Sequence, residues 1–273
     1  MRVIFAFLFL LVSINVVAAS VDTITIYSKA MRKNIKTVVV KPEGYEPQGT
    51  KKYPVVYLLH GYGGNYRNWI TRVPQIQALA DQHQMMIVCP DGAIGSWYFD
   101  SPIDSSYRYE TFVSKEVPDF IDGIYHTIPE RKGRVITGLS MGGHGGMFIG
   151  FRHADRFSGC GSMSGALHVS VITNGYDVEK RLGDTALNKK YWQDWSVLKV
   201  IEQYPKDSLS IIIDCGIQDR IIGMSRAAHD KLMKLNVPHD YIERPGGHDW
   251  PYWRTAIDYQ LLFFRKHFDK MLK

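Results

Sequence analysis

The chain has 273 residues, 45% hydrophobic and 22% charged, with a formal net charge of +6. That is enough apolar material for one large domain with a full core, and it excludes a disordered or low-complexity protein. Basic residues are scattered apart from short groups such as Lys51-Lys52 and Lys189-Lys190, so the sequence offers no stripe for nucleic acid.

The first residues stand apart. Met1-Arg2 is a positive start, Val3 to Val17 is almost wholly apolar, and Val17-Ala18-Ala19 supplies small residues for a signal peptidase. The apolar run is shorter than the ~20 residues a bilayer span requires. Residues 1–19 therefore read as a cleaved signal peptide. The expectation is a secreted or periplasmic domain over 20–273, with no stable membrane insertion. Cys89, Cys160 and Cys215 each sit at or near the end of an apolar run, and their spacing matches no disulfide framework or zinc site. Buried free thiols are expected, with a single bridge left open.

Along the chain, Thr23 to Tyr27 and Thr37 to Val40 predict an antiparallel strand pair, followed by a polar loop over Lys41 to Lys52. Strand and helix patterns then alternate. Val55 to Leu59 predicts a buried strand, Val73 to His83 a helix, Met85 to Cys89 a strand, and Glu110 to His126 a helix with an early Pro118. Val135 to Gly138 predicts a strand, Gly143 to His153 a helix rich in small residues, and Phe157 to Met163 a strand. Ile211 to Cys215 and Asp240 to Arg244 predict strands around a helix over Ser225 to Asn236, and Trp250 to His267 a closing amphipathic helix. Such alternation implies an α/β fold, a mostly parallel sheet with helices on both faces. Leu167 to Trp195 breaks the pattern; it is polar and aromatic and reads as a small cap over the site.

Gly138-Leu139-Ser140-Met141-Gly142 matches G-x-S-x-G between a strand and a helix, the context of a nucleophile elbow. A serine hydroxyl is a weak nucleophile until a base, itself oriented by a carboxylate, takes its proton. In this arrangement the chain order is Ser, Asp or Glu, His. Asp219 follows a buried strand by a few residues, with Asp214 as runner-up. His248 lies in Gly246-Gly247-His248 between the last strand and helix, with His168 as second choice. His229 reads as a surface residue and His239 as a turn residue. Asp119 and Asp122 read as a solvated helix face, and His144 as a packing residue. The developing oxyanion needs two fixed donors. Candidates are the backbone N–H groups of Met141 and of Tyr62, in the loop His60-Gly61-Tyr62-Gly63-Gly64, where His60 reads as a brace. Trp97, Tyr98 and Trp250 are candidates for a substrate wall, with Tyr107 and Tyr109 nearby. No H-E-x-x-H, C-x-x-C or Walker pattern occurs, so neither metal nor cofactor is expected.

The stretches Tyr53-Pro54-Val55-Val56-Tyr57-Leu58-Leu59-His60-Gly61, Ser96-Trp97-Tyr98, Tyr109-Glu110-Thr111-Phe112, Gly138-Leu139-Ser140-Met141-Gly142-Gly143, Asp214-Cys215-Gly216 and Gly247-His248-Asp249-Trp250 span nearly the whole chain. In this order they resemble the esterase-D-like branch of the α/β-hydrolases. That branch includes tributyrin, feruloyl and acetyl-xylan esterases, S-formylglutathione hydrolases and secreted mycolyltransferases. The resemblance implies an α/β-hydrolase fold, with Ser140, Asp219 and His248 as triad and Tyr62 and Met141 as oxyanion donors. Ser96-Trp97-Tyr98 leans toward the tributyrin-esterase-like group, and the signal segment departs from the cytosolic glutathione-thioester hydrolases. The expected activity is that of a serine carboxylesterase acting on short-chain or hydroxycinnamoyl esters, as small molecules or on polysaccharides. The alternatives are acyl transfer to a sugar hydroxyl, thioester hydrolysis of the S-formylglutathione type, and non-catalytic carbohydrate binding.

Overall fold

The computed structural model describes residues 19–172, 175–203 and 209–273. The expected signal segment lies outside the described residues, Ala19 excepted, as do residues 173–174 of the expected cap. β1 (Ser20–Ser28) and β2 (Lys33–Lys41) form an antiparallel ladder that runs unbroken from Ser20 opposite Lys41 to Ser28 opposite Lys33. Both strands are longer than their apolar centres predicted. The outer residues are held by backbone pairing; most of their side chains are exposed or half-buried, while Ser28 and Ile35 are buried.

β3 (Val55–Leu59) follows, then α1 (Asn68–Arg72), α2 (Ile76–His83) and β4 (Met86–Pro90). The helix expected from Val73 begins only at Ile76. Val73 precedes Pro74, which pushes it out of the helical region to φ −121°, ψ 86°. The next helix comprises α3 (Tyr109–Thr111), a π turn over Phe112–Glu116, and α4 (Val117–Ile124). Pro118 explains the π turn: it has no N–H to donate, and its ring would press on the carbonyl four residues earlier in a regular helix.

β5 (Arg134–Gly138), α5 (Met141–Arg152) and β6 (Gly159–Met163) form the centre. The segment expected as a cap carries a 3-10 turn at Val169–Val171, α6 (Val178–Leu182) and α7 (Lys189–Asp194). It is less polar than its composition suggests, because Val169, Val178, Leu182 and Trp192 are buried in the main core. α8 (Val197–Val200), β7 (Ser210–Gly216), α9 (Ile222–Lys234), β8 (Asp240–Arg244) and α10 (Trp250–Met271) complete the order.

The eight strands form one sheet in the order β1-β2-β4-β3-β5-β6-β7-β8, antiparallel at β1/β2 and β2/β4 and parallel elsewhere. All five residues of β3, β4 and β5 are buried, because helices cover both faces. The period of two splits β3 between two cores. Val55, Tyr57 and Leu59 face the core that holds α4 and α5, and Val56 and Leu58 face the core that holds α2 and α10. This is the α/β-hydrolase architecture.

Two side chains, Asp122 and His229, differ from expectation. Asp122 is not on a solvated face: it pairs with Arg134 and accepts from the Thr127 hydroxyl. Asp119 pairs with Arg156. His229 is half-buried, 2.8 Å from His239 Nε2, with its ring stacked on Tyr241. Cys89, Cys160 and Cys215 are buried free thiols, and burial pushes the Cys215 thiol up to about 12.

His144 lies fully buried on α5, stacked on Phe148, with Nε2 3.2 Å from the Trp195 carbonyl oxygen. Burial lowers its pKa to about 4. An unfolded histidine titrates near pH 6.5, so between these values the unfolded chain binds more protons and stability falls as pH falls. His267, held between the Ser158 and Ser210 hydroxyls and also lowered to about 4 by burial, contributes with the same sign. Urea unfolding should show stability declining from pH 6.5 to about 4, with up to about 3 kcal/mol owed to His144. His144→Gln should flatten that slope whatever its effect at neutral pH; an unchanged slope would refute the assignment.

Candidate active site

Ser140 sits between β5 and α5 with φ 54° and ψ −115°, a conformation that a non-glycine residue adopts only when its surroundings impose it. Here they do. The Ser140 N–H donates to the Met163 carbonyl (3.0 Å), and the Ser140 carbonyl accepts from the Ala166 N–H (3.2 Å), so the end of β6 clamps the turn from one side. On the other side backbone meets backbone. A Cβ on Gly138 would lie 2.6 Å from the Leu59 oxygen, and one on Gly142 would lie 2.6 Å from both the Leu59 and His60 oxygens. The two flanking glycines of G-x-S-x-G are thus required by the end of β3, which leaves no room for a side chain.

The loop after β3 is braced where sequence reasoning expected. His60 Nδ1 lies 2.8 Å from the Gly61 oxygen, and His60 Nε2 accepts from the Gly92 N–H at 2.7 Å, a pattern that suits the neutral ring. Burial lowers its pKa accordingly. The Tyr98 hydroxyl donates to the His60 carbonyl (3.0 Å) and the Trp69 indole to the Leu59 carbonyl (3.1 Å). A Cβ on Gly61 would come within 3.3 Å of Ser140 Cβ, which shows how closely this loop passes the serine. Neither the Tyr62 N–H nor the Met141 N–H has a backbone acceptor among the described residues.

His248 comes from the loop between β8 and α10. Gly246, with φ 141°, lets that loop fold onto the end of β7: its N–H donates to Gln218 Oε1 (2.5 Å) and its carbonyl accepts from the Gln218 N–H (3.0 Å). Asp249 then caps α10 by accepting from the Tyr252 N–H. This docking brings His248 Nδ1 to 2.8 Å from Asp219 Oδ2 and His248 Nε2 to 2.9 Å from Ser140 Oγ. Burial pushes the Asp219 carboxyl up, but hydrogen bonds from His248, the Ile221 N–H and Ser164 outweigh it and hold the carboxyl below its usual range. A serine, an imidazole and an ionised carboxylate in this relay can activate the hydroxyl for attack on a carbonyl.

Asp214, the runner-up carboxylate, is fully buried and bound to Arg244 (2.7 Å) and the Tyr252 hydroxyl, away from His248. His168 does not line the cavity. Ser140 and His248 open onto a cavity of about 280 Å³, also lined by Tyr62, Tyr176, Trp250 and Trp253. Trp97 and Tyr98 do not line it, which corrects the expected substrate wall; they are 2% and 0% exposed. Both adopt positive φ and turn inward. Tyr98 braces the His60 loop, and Trp97 donates its indole N–H to the Tyr176 carbonyl (2.6 Å). The exposed aromatic edge is instead Tyr62 and Tyr176, packed edge to face at 5.2 Å. Tyr176 had no local signal in the sequence. Trp253 did, three residues after Trp250 on the same helix face; its ring meets His248 edge-on at 5.0 Å. Among the described residues no cluster of His, Cys, Asp or Glu is arranged to hold a metal ion, and no helix is long and apolar enough to cross a membrane.

Comparison with known proteins places this geometry in a family. Residues 28–264 match the model of the family described as "Putative esterase". An acetyl esterase of Caldicellulosiruptor saccharolyticus is 28% identical over 254 residues, covering 86% of this chain and 94% of its own. A solved ferulic acid esterase superposes with a TM-score of 0.80 at 29% identity, covering 92% of this chain and 99% of its own. An S-formylglutathione hydrolase of Staphylococcus aureus shares the fold, with a TM-score of 0.77 at 21% identity over 90% of this chain and 99% of its own. The chain belongs to this esterase family and is a carboxylic ester hydrolase of the α/β-hydrolase fold.

Proposed function

We propose that Ser140 is the nucleophile of a serine esterase, with His248 as general base and Asp219 as its orienting carboxylate. The observation that carries this reading is the continuous relay of 2.9 and 2.8 Å ending on a serine held at φ 54°. Ser140 Oγ attacks the ester carbonyl while His248 Nε2 takes its proton. The N–H groups of Tyr62 and Met141 receive the charge that develops on the carbonyl oxygen. His248 returns the proton to the leaving alcohol, and a water activated by the same imidazole releases the acid from the acyl-enzyme.

The substrate reading follows from the cavity. At about 280 Å³ it stands at the small end of ligand cavities, ~300 to 1,000 Å³. Its rim is aromatic: Tyr62, Tyr176 and Trp250 offer flat faces to a sugar or hydroxycinnamoyl ring. The substrates we infer are short acyl or hydroxycinnamoyl esters, including those on polysaccharides. Residues 167–195 act as a small cap that contributes Tyr176. The enzyme works outside the cytoplasm after removal of residues 1–19.

Ser140→Ala should lower kcat on a short aryl ester by roughly 10⁴ to 10⁶, His248→Ala nearly as much, and Asp219→Asn somewhat less. Combining His248→Ala with Ser140→Ala should add little, because the residues act as a unit. Near-normal turnover by a folded Ser140→Ala enzyme would sink the assignment.

Tyr176→Ala should raise KM for feruloyl esters by about two- to tenfold, the range of one aromatic contact, with acetyl esters less affected. Trp97→Phe, which removes the indole N–H to Tyr176 together with part of the buried ring, should reproduce part of that effect. Equal kinetics on both esters for both variants would remove Tyr176 from the substrate wall. Palmitoyl esters should be poorer than acetyl or butyryl esters, since each CH₂ contributes about 0.8 kcal/mol only when enclosed. A palmitoyl optimum in kcat/KM would contradict this reading.

A further inference from the structure

The cavity beside Ser140 is electrostatically one-sided. Arg72, the last residue of α1, and Arg220, which follows Asp219 directly, both line it. No Asp or Glu does so among the described residues. The carboxylates of adjoining residues are engaged: Asp177 by Lys180 and the Tyr62 hydroxyl, Asp219 by His248, and Asp249 by the Tyr252 N–H. Buried or half-buried arginines elsewhere are matched with acids, as Arg134 is with Asp122, Arg181 with Asp104 and Arg244 with Asp214. Arg72 and Arg220 have no such partner among the described residues. Arg220 has only a long contact of 3.5 Å to the Tyr176 hydroxyl. Arg254 donates to the Arg72 carbonyl (2.6 Å), so a third guanidinium stands beside that wall.

The uncharged polar groups of the cavity point to the same ligand. Asn68 uses its side-chain oxygen to accept from the Asn65 N–H (2.8 Å), which leaves its amide N–H groups as donors. The Trp253 indole N–H is buried and has no partner among the described residues. A wall of guanidinium, amide and indole donors with no acid suits a group that only accepts hydrogen bonds and carries negative charge. Guanidinium meets carboxylate in a bidentate geometry that an exposed lysine would not supply.

We propose that this cavity selects esters bearing a carboxylate, which Arg72 and Arg220 hold while the ester carbonyl lies at Ser140. The proposal rests on Ser140 being the nucleophile. It narrows the substrate class from short esters in general to acidic ones. The carboxylate has two chemical sources: a sugar acid whose hydroxyl is acylated, or a glutathione-type thiol whose sulfur is acylated.

The test compares kcat/KM within two matched pairs: mono-acetylated glucuronate against mono-acetylated glucose, and S-acetylglutathione against neutral S-acetyl-N-acetylcysteamine. In at least one pair the acidic member should be preferred by about tenfold, the range of one charge-assisted hydrogen bond, and the responding pair names the source. The preference should shrink between about 0.05 M and about 0.5 M salt, because both guanidiniums are exposed. It should largely vanish in the Arg72→Gln/Arg220→Gln enzyme. If that variant does not fold, the single variants and the salt series on the unaltered enzyme decide. Parity or a neutral preference in both pairs, or a preference that survives both substitutions, overturns the proposal. Failure of the underlying reading would look different: the neutral members would still be turned over by Ser140→Ala.

Discussion

The site depends on one close approach, that of the turn around Ser140 to the carboxyl end of β3. Gly138 and Gly142 face the Leu59 and His60 oxygens at distances no Cβ could occupy. The contact fixes two things at once. It forces Ser140 into a conformation that aims its side chain out of the sheet, and it sets the following loop, with Gly61 and Tyr62, beside the serine. Strain of this kind persists only where the surroundings over-determine it. The surroundings are the Met163 and Ala166 hydrogen bonds below the serine and the buried braces Tyr98 and Trp69 above it.

The second constraint is the pairing of the loops after β7 and β8. Two aspartates lie near the end of β7, five residues apart, and the fold gives them opposite roles. Asp214 is still in the strand, where burial raises its pKa and Arg244 and Tyr252 bind it. There it ties β7 to β8 and α10. Asp219 lies one turn further on, where the hydrogen bonds it receives outweigh burial and keep it ionised against His248. The carboxylate that lies free of the sheet is the one available to orient an imidazole.

This difference also explains what the sequence could disclose. The alternating strands, the G-x-S-x-G turn, His60 as a brace, and Asp219 over Asp214 were legible because each depends on local backbone geometry or on position relative to a strand end. Trp97 and Tyr98 were misplaced because composition says where an aromatic residue is, not which way its backbone turns it; two consecutive positive φ angles direct both inward. The π turn at Phe112–Glu116 was hinted at by Pro118, and the late start of α2 by Pro74, but both were read only as helix. Tyr176, Arg72 and Arg220 reach the cavity from segments far apart in the chain, with no shared motif to join them.

That separation is itself informative about how such a site can vary. The chemistry hangs on backbone contacts between strand ends, which tolerate little change. Other residues lining the cavity come from α1, from the segment before α6, and from the position after Asp219. Each can be exchanged without moving the relay, because none of them donates to or accepts from Ser140 or His248. The charge of the cavity wall is therefore a property separable from the reaction. Arg220 shows the separation most plainly. It adjoins Asp219, yet the buried Asp219 side chain faces His248 while the exposed Arg220 side chain lines the cavity. One loop thus serves two ends: its carboxylate is engaged by His248, the Ile221 N–H and Ser164, while the neighbouring guanidinium faces the cavity.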